Sequence, residues 1–131
     1  MSPKRVASRE FKNEKTGRRI IAEIFTPRQV AHEEWACRFV IRGLPGRHQH
    51  DAHGIDSLQA LGLAMQGVRY HLERSGLPIS FVGAVGEFGI YRQLAGFDVP
   101  TTRHLEQLVD REIAKLVRAK RRKNRSRKDP D

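Results

Sequence analysis

The sequence predicts an α+β fold: a mainly antiparallel sheet of four or five strands with two helices packed on one face. Three observations carry this expectation. Residues 35–42 alternate with a period of two. Residues 56–76 and 102–117 place apolar side chains every three or four positions. Most of the strand-like segments are joined by short, turn-rich connections, which favours a layer of helices on an antiparallel sheet. The order is three strands, a helix, one or two strands and a second helix.

Residues 4–12 read as the first strand. Asn13-Glu14-Lys15-Thr16-Gly17 has the residues of a hairpin loop, with Gly17 able to take positive φ. Arg18 to Phe25 then alternates, with Ile20, Ala22 and Ile24 on one side and Arg19, Ile21, Glu23 and Phe25 on the other. Both sides carry apolar residues, as in a central strand. Pro27 ends it, because proline has no N–H for the ladder. In Trp35–Arg42, Trp35, Cys37, Phe39 and Ile41 face one way and Ala36, Arg38, Val40 and Arg42 the other. Gly43-Leu44-Pro45-Gly46 breaks this strand and opens a polar loop that reaches Gly54.

Asp56 is the expected N-cap of the first helix, with Gln59 as its capping-box partner and Ile55 as the staple residue. Leu58, Leu61, Met65, Val68 and Leu72 form its apolar stripe, and Ala60, Ala64 and Gly67 beside them allow close approach to a sheet. Gly76 provides a left-handed cap and Pro78 prevents continuation. Leu77, Ile79 and Phe81 suggest a fourth strand. Gly83 to Gly89 reads as a glycine-rich turn into a short strand through Ile90 and Tyr91. From Thr102 a second helix carries Leu105, Leu108, Val109, Ile113, Leu116 and Val117 and extends to about Lys123.

The 131 residues suffice for one domain, at 38% hydrophobic and 31% charged. The expected division is a single domain over residues 1–117 and a basic C-terminal extension over 118–131, partly helical and then disordered. A single cysteine excludes an internal disulfide framework and suits a reducing cytosol. No run of 18 apolar residues occurs and no apolar signal core follows Met1, so a membrane span and a standard secretory signal are not expected.

The formal charge of +10 is concentrated at one end. Residues 1–114 hold sixteen Lys and Arg against thirteen Asp and Glu, whereas residues 115–131 hold nine against two. Lys115, Arg118, Lys120, Arg121, Arg122, Lys123, Arg125, Arg127 and Lys128 lie within fourteen positions. A polyanion would gain binding free energy there through counterion release, mostly without reading sequence. A solubilising terminus has the same composition. No aromatic residue lies in 115–131, so the segment has no platform for stacking bases.

The segment Arg47-His48-Gln49-His50-Asp51-Ala52-His53-Gly54 is the one stretch with metal-ligand character. His48, His50 and His53 could offer neutral imidazoles to Zn²⁺ or Ni²⁺, although no second ligand pair at helical spacing supports them. Cys37 shares its strand face with large apolar residues and reads as a small core residue rather than a nucleophile. Ser57 lacks a nucleophile elbow. Asp56 is committed to capping, which leaves Asp51 without a partner carboxylate. Gly83-x-x-Gly86-x-x-Gly89 lacks the Lys-Ser/Thr of a phosphate loop and reads as turn glycines, with Glu87 the one carboxylate beside them. His71 falls beside the core stripe of the first helix, as a partly buried structural histidine would. No cofactor is implied.

The combination of Trp35-x-Cys37-x-Phe39-x-Ile41-x-Gly43, Gly54-Ile55-Asp56-Ser57-Leu58-Gln59-Ala60-Leu61 and Gly86-Glu87-Phe88-Gly89 resembles a family of small bacterial domains of unknown function. The resemblance spans residues 18–91 and implies a compact bacterial cytosolic domain. It brings no activity, cofactor or catalytic residue with it. The histidine loop and the basic C-terminal extension look like departures from that common part.

Three function classes follow. The leading one is a non-enzymatic binding module that contacts nucleic acid or another polyanion through Lys115, Arg118, Arg121, Arg122, Lys123, Arg125, Arg127 and Lys128. The second binds an acidic protein partner, as a small immunity or antitoxin-like antagonist does. The third is a metal-dependent enzyme built on His48, His50 and His53. Binding ranks above catalysis because no set of nucleophile, base and orienting group assembles.

Overall fold

The structure, a computed structural model, describes residues 3–90 and 98–128. It divides into two compact units, Met1–Arg92 and Gln93–Asp131. The first holds strands β1 (Arg5–Asn13), β2 (Arg19–Phe25), β3 (Arg28–Ala31), β4 (Glu34–Arg42) and β5 (His48–Gly54). Helix α1 (Ser57–Arg74), β6 (Ile79–Phe81) and β7 (Ala84–Val85) follow. The second holds α2 (Val99–Lys128). The α+β class and the antiparallel pairing are as expected, but among the described residues the sheet has seven strands, not four or five.

The two additional strands have separate causes. After Pro27 interrupts the ladder, the chain resumes pairing along the same edge of β4: Ile24 lies opposite Phe39 and Arg28 opposite Ala36. The one-residue change in register between them accommodates the proline as a bulge. β5 replaces the expected polar loop. It pairs antiparallel with the other edge of β4, from Trp35 opposite Gly54 to Ile41 opposite His48. A strand with histidines at its inward positions lacks the apolar alternation that marks strands in sequence.

β2 sits between β4 and β1, a central strand as its two-sided apolar pattern predicts. The β1–β2 turn closes through hydrogen bonds from Asn13 N to Arg18 O and from Gly17 N to Asn13 O, with Gly17 at φ +75°. The core comprises Phe11, Ile20, Ala22, Cys37, Phe39 and Ile41 from the sheet, closed by Ala60, Ala64, Val68 and Leu72 of α1. The Cys37 thiol is buried and donates to Phe25 O at 3.2 Å. Burial pushes its pKa up, and the carboxylate of Asp51 adds to that, so the group is a structural thiol.

α1 is capped as expected at its first residue: Gln59 N donates to Asp56 Oδ1 at 2.8 Å. The Gln59 side chain reaches back to Ile55 N, also at 2.8 Å. The staple is not formed, because Ile55 is exposed. The core-facing stripe is also rotated from expectation. Leu58 and Met65 are exposed, and the buried line is Ala60, Ala64, Val68 and Leu72. Small side chains bring the helix axis close to the sheet, so the larger ones are displaced to the flanks. Leu61 and Met65 there line an apolar groove with Ile24 and Ile90.

β6 and β7 form a tight hairpin in which Phe81 faces Ala84 across Val82-Gly83. The short strand expected through Ile90 and Tyr91 lies earlier, at Ala84–Val85; Ile90 is outside any strand and Tyr91 falls outside the described residues. Gly83, Gly86 and Gly89 all have positive φ, which fits turn glycines. Arg9 reaches over the Phe81 ring and donates to Phe88 O and Gly89 O at 3.1 and 2.8 Å.

α2 begins three residues before the expected Thr102, because Asp98 caps it: Thr101 N donates to Asp98 Oδ1 at 3.0 Å. It runs past Lys123 to Lys128. No helix among the described residues is long and apolar enough to cross a membrane.

Candidate functional site: three imidazoles between a strand and a helix

The pairing of β5 with β4 decides which histidines meet. His48 lies opposite Ile41 and His50 opposite Phe39, so both share the face of the sheet that carries the core. His53 has the other parity and pairs with Glu34, Nδ1 to Oε1, at 3.5 Å. α1 packs over this face and brings His71 down onto it. Gly67, one turn earlier, permits the approach, since a Cβ there would lie 2.5 Å from Cζ of Phe39.

The result is a cluster of His48, His50 and His71, each half-buried, with one nitrogen from each ring lying within 4.8 Å of the others. The rings of His50 and His71 are stacked, 4.3 Å apart and 6° from parallel. His48 meets His71 edge-on at 5.3 Å, and Phe39 closes the inner side at 5.3 Å from His50 and 5.9 Å from His71. The expected trio of His48, His50 and His53 is therefore only partly brought together. His71, read from sequence as a structural histidine, takes the third place.

The nitrogens are unequally satisfied. His48 Nε2 lies 2.9 Å from Pro45 O. A carbonyl can only accept, so Nε2 carries a hydrogen, and in the neutral ring Nδ1 then holds the lone pair. That Nδ1 and Nε2 of His50 are buried and have no hydrogen-bond partner among the described residues. Burial pulls the His71 pKa below its ordinary value, and the neighbouring His50, His48 and Arg74 pull it further. His48 and His71 line a cleft of about 420 Å³ with Leu44, Pro45, Tyr70, Arg74 and Ser75. Chemically, the arrangement offers nitrogen donors and one guanidinium beside an open cleft.

The opposite face of the sheet is electrostatically distinct. Asp51 accepts from Arg38 Nε at 3.1 Å and from Arg28 at 3.2 Å, and Glu23 accepts from Arg42 Nε at 2.6 Å and from Arg5 at 3.1 Å. Arg38 and Arg42 thus neutralise carboxylates away from the imidazoles and do not merge with them into one cleft.

The basic residues singled out from sequence all fall on α2. Lys115 pairs with Glu112 at 3.2 Å. Arg118, Arg121, Arg122, Lys123 and Arg125 are exposed and have no carboxylate partner among the described residues. Arg127 and Lys128 occupy the last turn of the helix.

No curated protein and no solved structure matches this chain. A family match does exist, over residues 7–85, a segment that contains the three imidazoles and ends before α2. On that match, the chain belongs to the family described as a domain of unknown function, DUF6968.

Proposed function

We propose that the protein is a non-enzymatic binding module that contacts nucleic acid through α2. The observation that carries this reading is the helical, solvent-facing presentation of unpaired cations. Arg118, Arg122 and Arg125 recur at spacings of four and three along one side of the helix, continuing the line of Lys115, which pairs with Glu112. Arg121 flanks that side. The basic segment 115–128 is about 20 Å long at 1.5 Å per residue, enough to follow several phosphates of a duplex. Because α2 carries no Phe, Tyr or Trp, the contact is with backbone phosphate and is indifferent to base sequence.

The test is binding of the full chain to a labelled 20-base-pair DNA duplex across a salt series. About five phosphates neutralised give a log–log slope near −4.5. The variant carrying Arg118→Gln, Arg121→Gln, Arg122→Gln and Arg125→Gln keeps helix propensity and is expected to lose most of the affinity and most of the slope. Equal affinity and slope in wild type and variant would remove this reading.

A second reading, an acidic protein partner such as an antagonised toxin, is favoured by a different feature of the same helix. Val109, Ile113 and Leu116 are large apolar side chains exposed along α2. A protein partner would bury them and so resist salt, whereas a polyanion would not. Co-purification from the native host after nuclease treatment at elevated salt separates the two: one stoichiometric protein retained supports the partner, and recovery of the chain alone counts against it.

A further inference from the structure

We propose that His48, His50 and His71 form a binding site for a late first-row divalent transition ion, with Zn²⁺ the best fit. This inference is independent of α2 and of nucleic acid. Three nitrogens within 4.8 Å of one another, on two elements locked together by the core, form a donor set that a single ion can bridge. Tetrahedral Zn–N bonds of 2.0–2.1 Å place ligand nitrogens about 3.4 Å apart, so the set closes by about an ångström on uptake. An all-imidazole set selects zinc, copper, nickel or cobalt and disfavours magnesium and calcium, which require oxygen.

The unsatisfied atoms point the same way. Leaving a buried polar nitrogen without a partner is costly, and this cluster leaves two, His48 Nδ1 and His50 Nε2. A metal bond would satisfy both. The contact between His48 Nε2 and Pro45 O fixes the tautomer and orients the ring, the role that outer-shell carbonyls play at histidine metal sites.

Uptake requires one defined movement. Two stacked rings hold their in-plane lone pairs in separate parallel planes, so they cannot converge on one ion and the His50–His71 stack must open. His71 lines the cleft, which gives its ring space to turn. Three protein ligands leave a fourth position facing that cleft, where Arg74 favours an anionic or hydroxide ligand.

The test uses the full chain without an affinity tag, stripped by chelator and then titrated. Co²⁺ uptake is followed by visible absorption and Zn²⁺ uptake by competition with a chromophoric chelator. One equivalent per chain is expected for wild type and for His53→Ala. His71→Ala and His48→Gln are expected to bind at least about 100-fold more weakly, since outer-shell changes alone cost 10–100-fold. Zn²⁺ should raise the Tm of wild type and of His53→Ala but not of His71→Ala. Folded wild type that takes up neither ion, or a loss in His53→Ala equal to that in His71→Ala, overturns the proposal. Should a variant fail to fold, imidazole NMR of wild type decides: Zn²⁺ must shift His48, His50 and His71 and leave His32, His53 and His104 in place, and the reverse pattern overturns the site.

Discussion

Gly67 of α1 rests on the ring of Phe39 in β4, so close that a Cβ would meet Cζ at 2.5 Å and Cε1 at 2.7 Å. Phe39 is buried and its ring is already packed against His50 and His71. This one contact sets how near the helix stands to the sheet, and with it the distance between the strand imidazoles and the helix imidazole.

Gly67→Ala is therefore expected to destabilise the protein even though alanine is the better helix former. The propensity gain is about 1 kcal/mol and overpacking costs about 1–3 kcal/mol, a net loss of order 1 kcal/mol. Urea unfolding followed by circular dichroism measures it. Equal or greater stability would show that Phe39 can yield without cost.

Stability should also fall in acid. The hydrogen bond from Arg42, aided by Arg5, holds the Glu23 carboxyl below its ordinary value against the opposing effect of burial. Burial raises the pKa of Asp51, but the hydrogen bonds from Arg38 and Arg28 outweigh it and leave that group lowered as well. A carboxyl with a depressed folded-state pKa binds its proton more readily when unfolded. Its contribution is thus complete above the unfolded values, 4.5 for Glu and 3.8 for Asp, and is lost as the pH falls through the lower folded ones. The carboxylate part of the unfolding free energy should hold from pH 7 to about 5 and then drop. The lowered His71 pKa adds a separate decline that begins near its ordinary value of 6.5. Glu23→Gln should lower stability at pH 7 by about 1–2 kcal/mol, the solvent around both arginines limiting the loss, and should flatten the acid limb. An acid limb unchanged by the substitution would discount Glu23 as its source.

The β6–β7 hairpin carries a removable strain. Val82 has φ +52° and Gly83 φ +82°, the two positive angles of a type I′ turn. A β-branched residue is poorly suited to that region, and Val82 is 88% exposed, so no packing compensates. Val82→Asn creates the Asn-Gly pair that this turn prefers and should stabilise the protein by about 1 kcal/mol, seen as a rise in Tm. A fall in Tm would show that the turn adopts another geometry.

Local chemistry made much of this fold legible. The Asn13–Gly17 turn, the alternation from Trp35 to Arg42, the Asp56 cap and the Gly76-x-Pro78 stop are each properties of a few adjacent residues, and each stands where the pattern places it. β3 and β5 were not legible. β3 is four residues long after a proline, and β5 presents histidines where a strand ordinarily presents valine or isoleucine. The buried line of α1 departs from the apolar stripe because periodicity identifies an apolar arc, whereas the centre of contact is set by how closely Ala60, Ala64 and Gly67 allow the backbone to approach.

By itself the sequence determined the α+β class, the boundaries of α1 that its caps define, and the gathering of cationic side chains in residues 115–128, because these depend on neighbours along the chain. Tertiary structure alone decided which imidazoles share a site. The register between β4 and β5 turned His48 and His50 inward and His53 outward, since strand parity has no meaning until a partner strand fixes it. The packing of α1 then supplied His71 from 21 positions beyond His50, a neighbour that only a closed core can bring into reach.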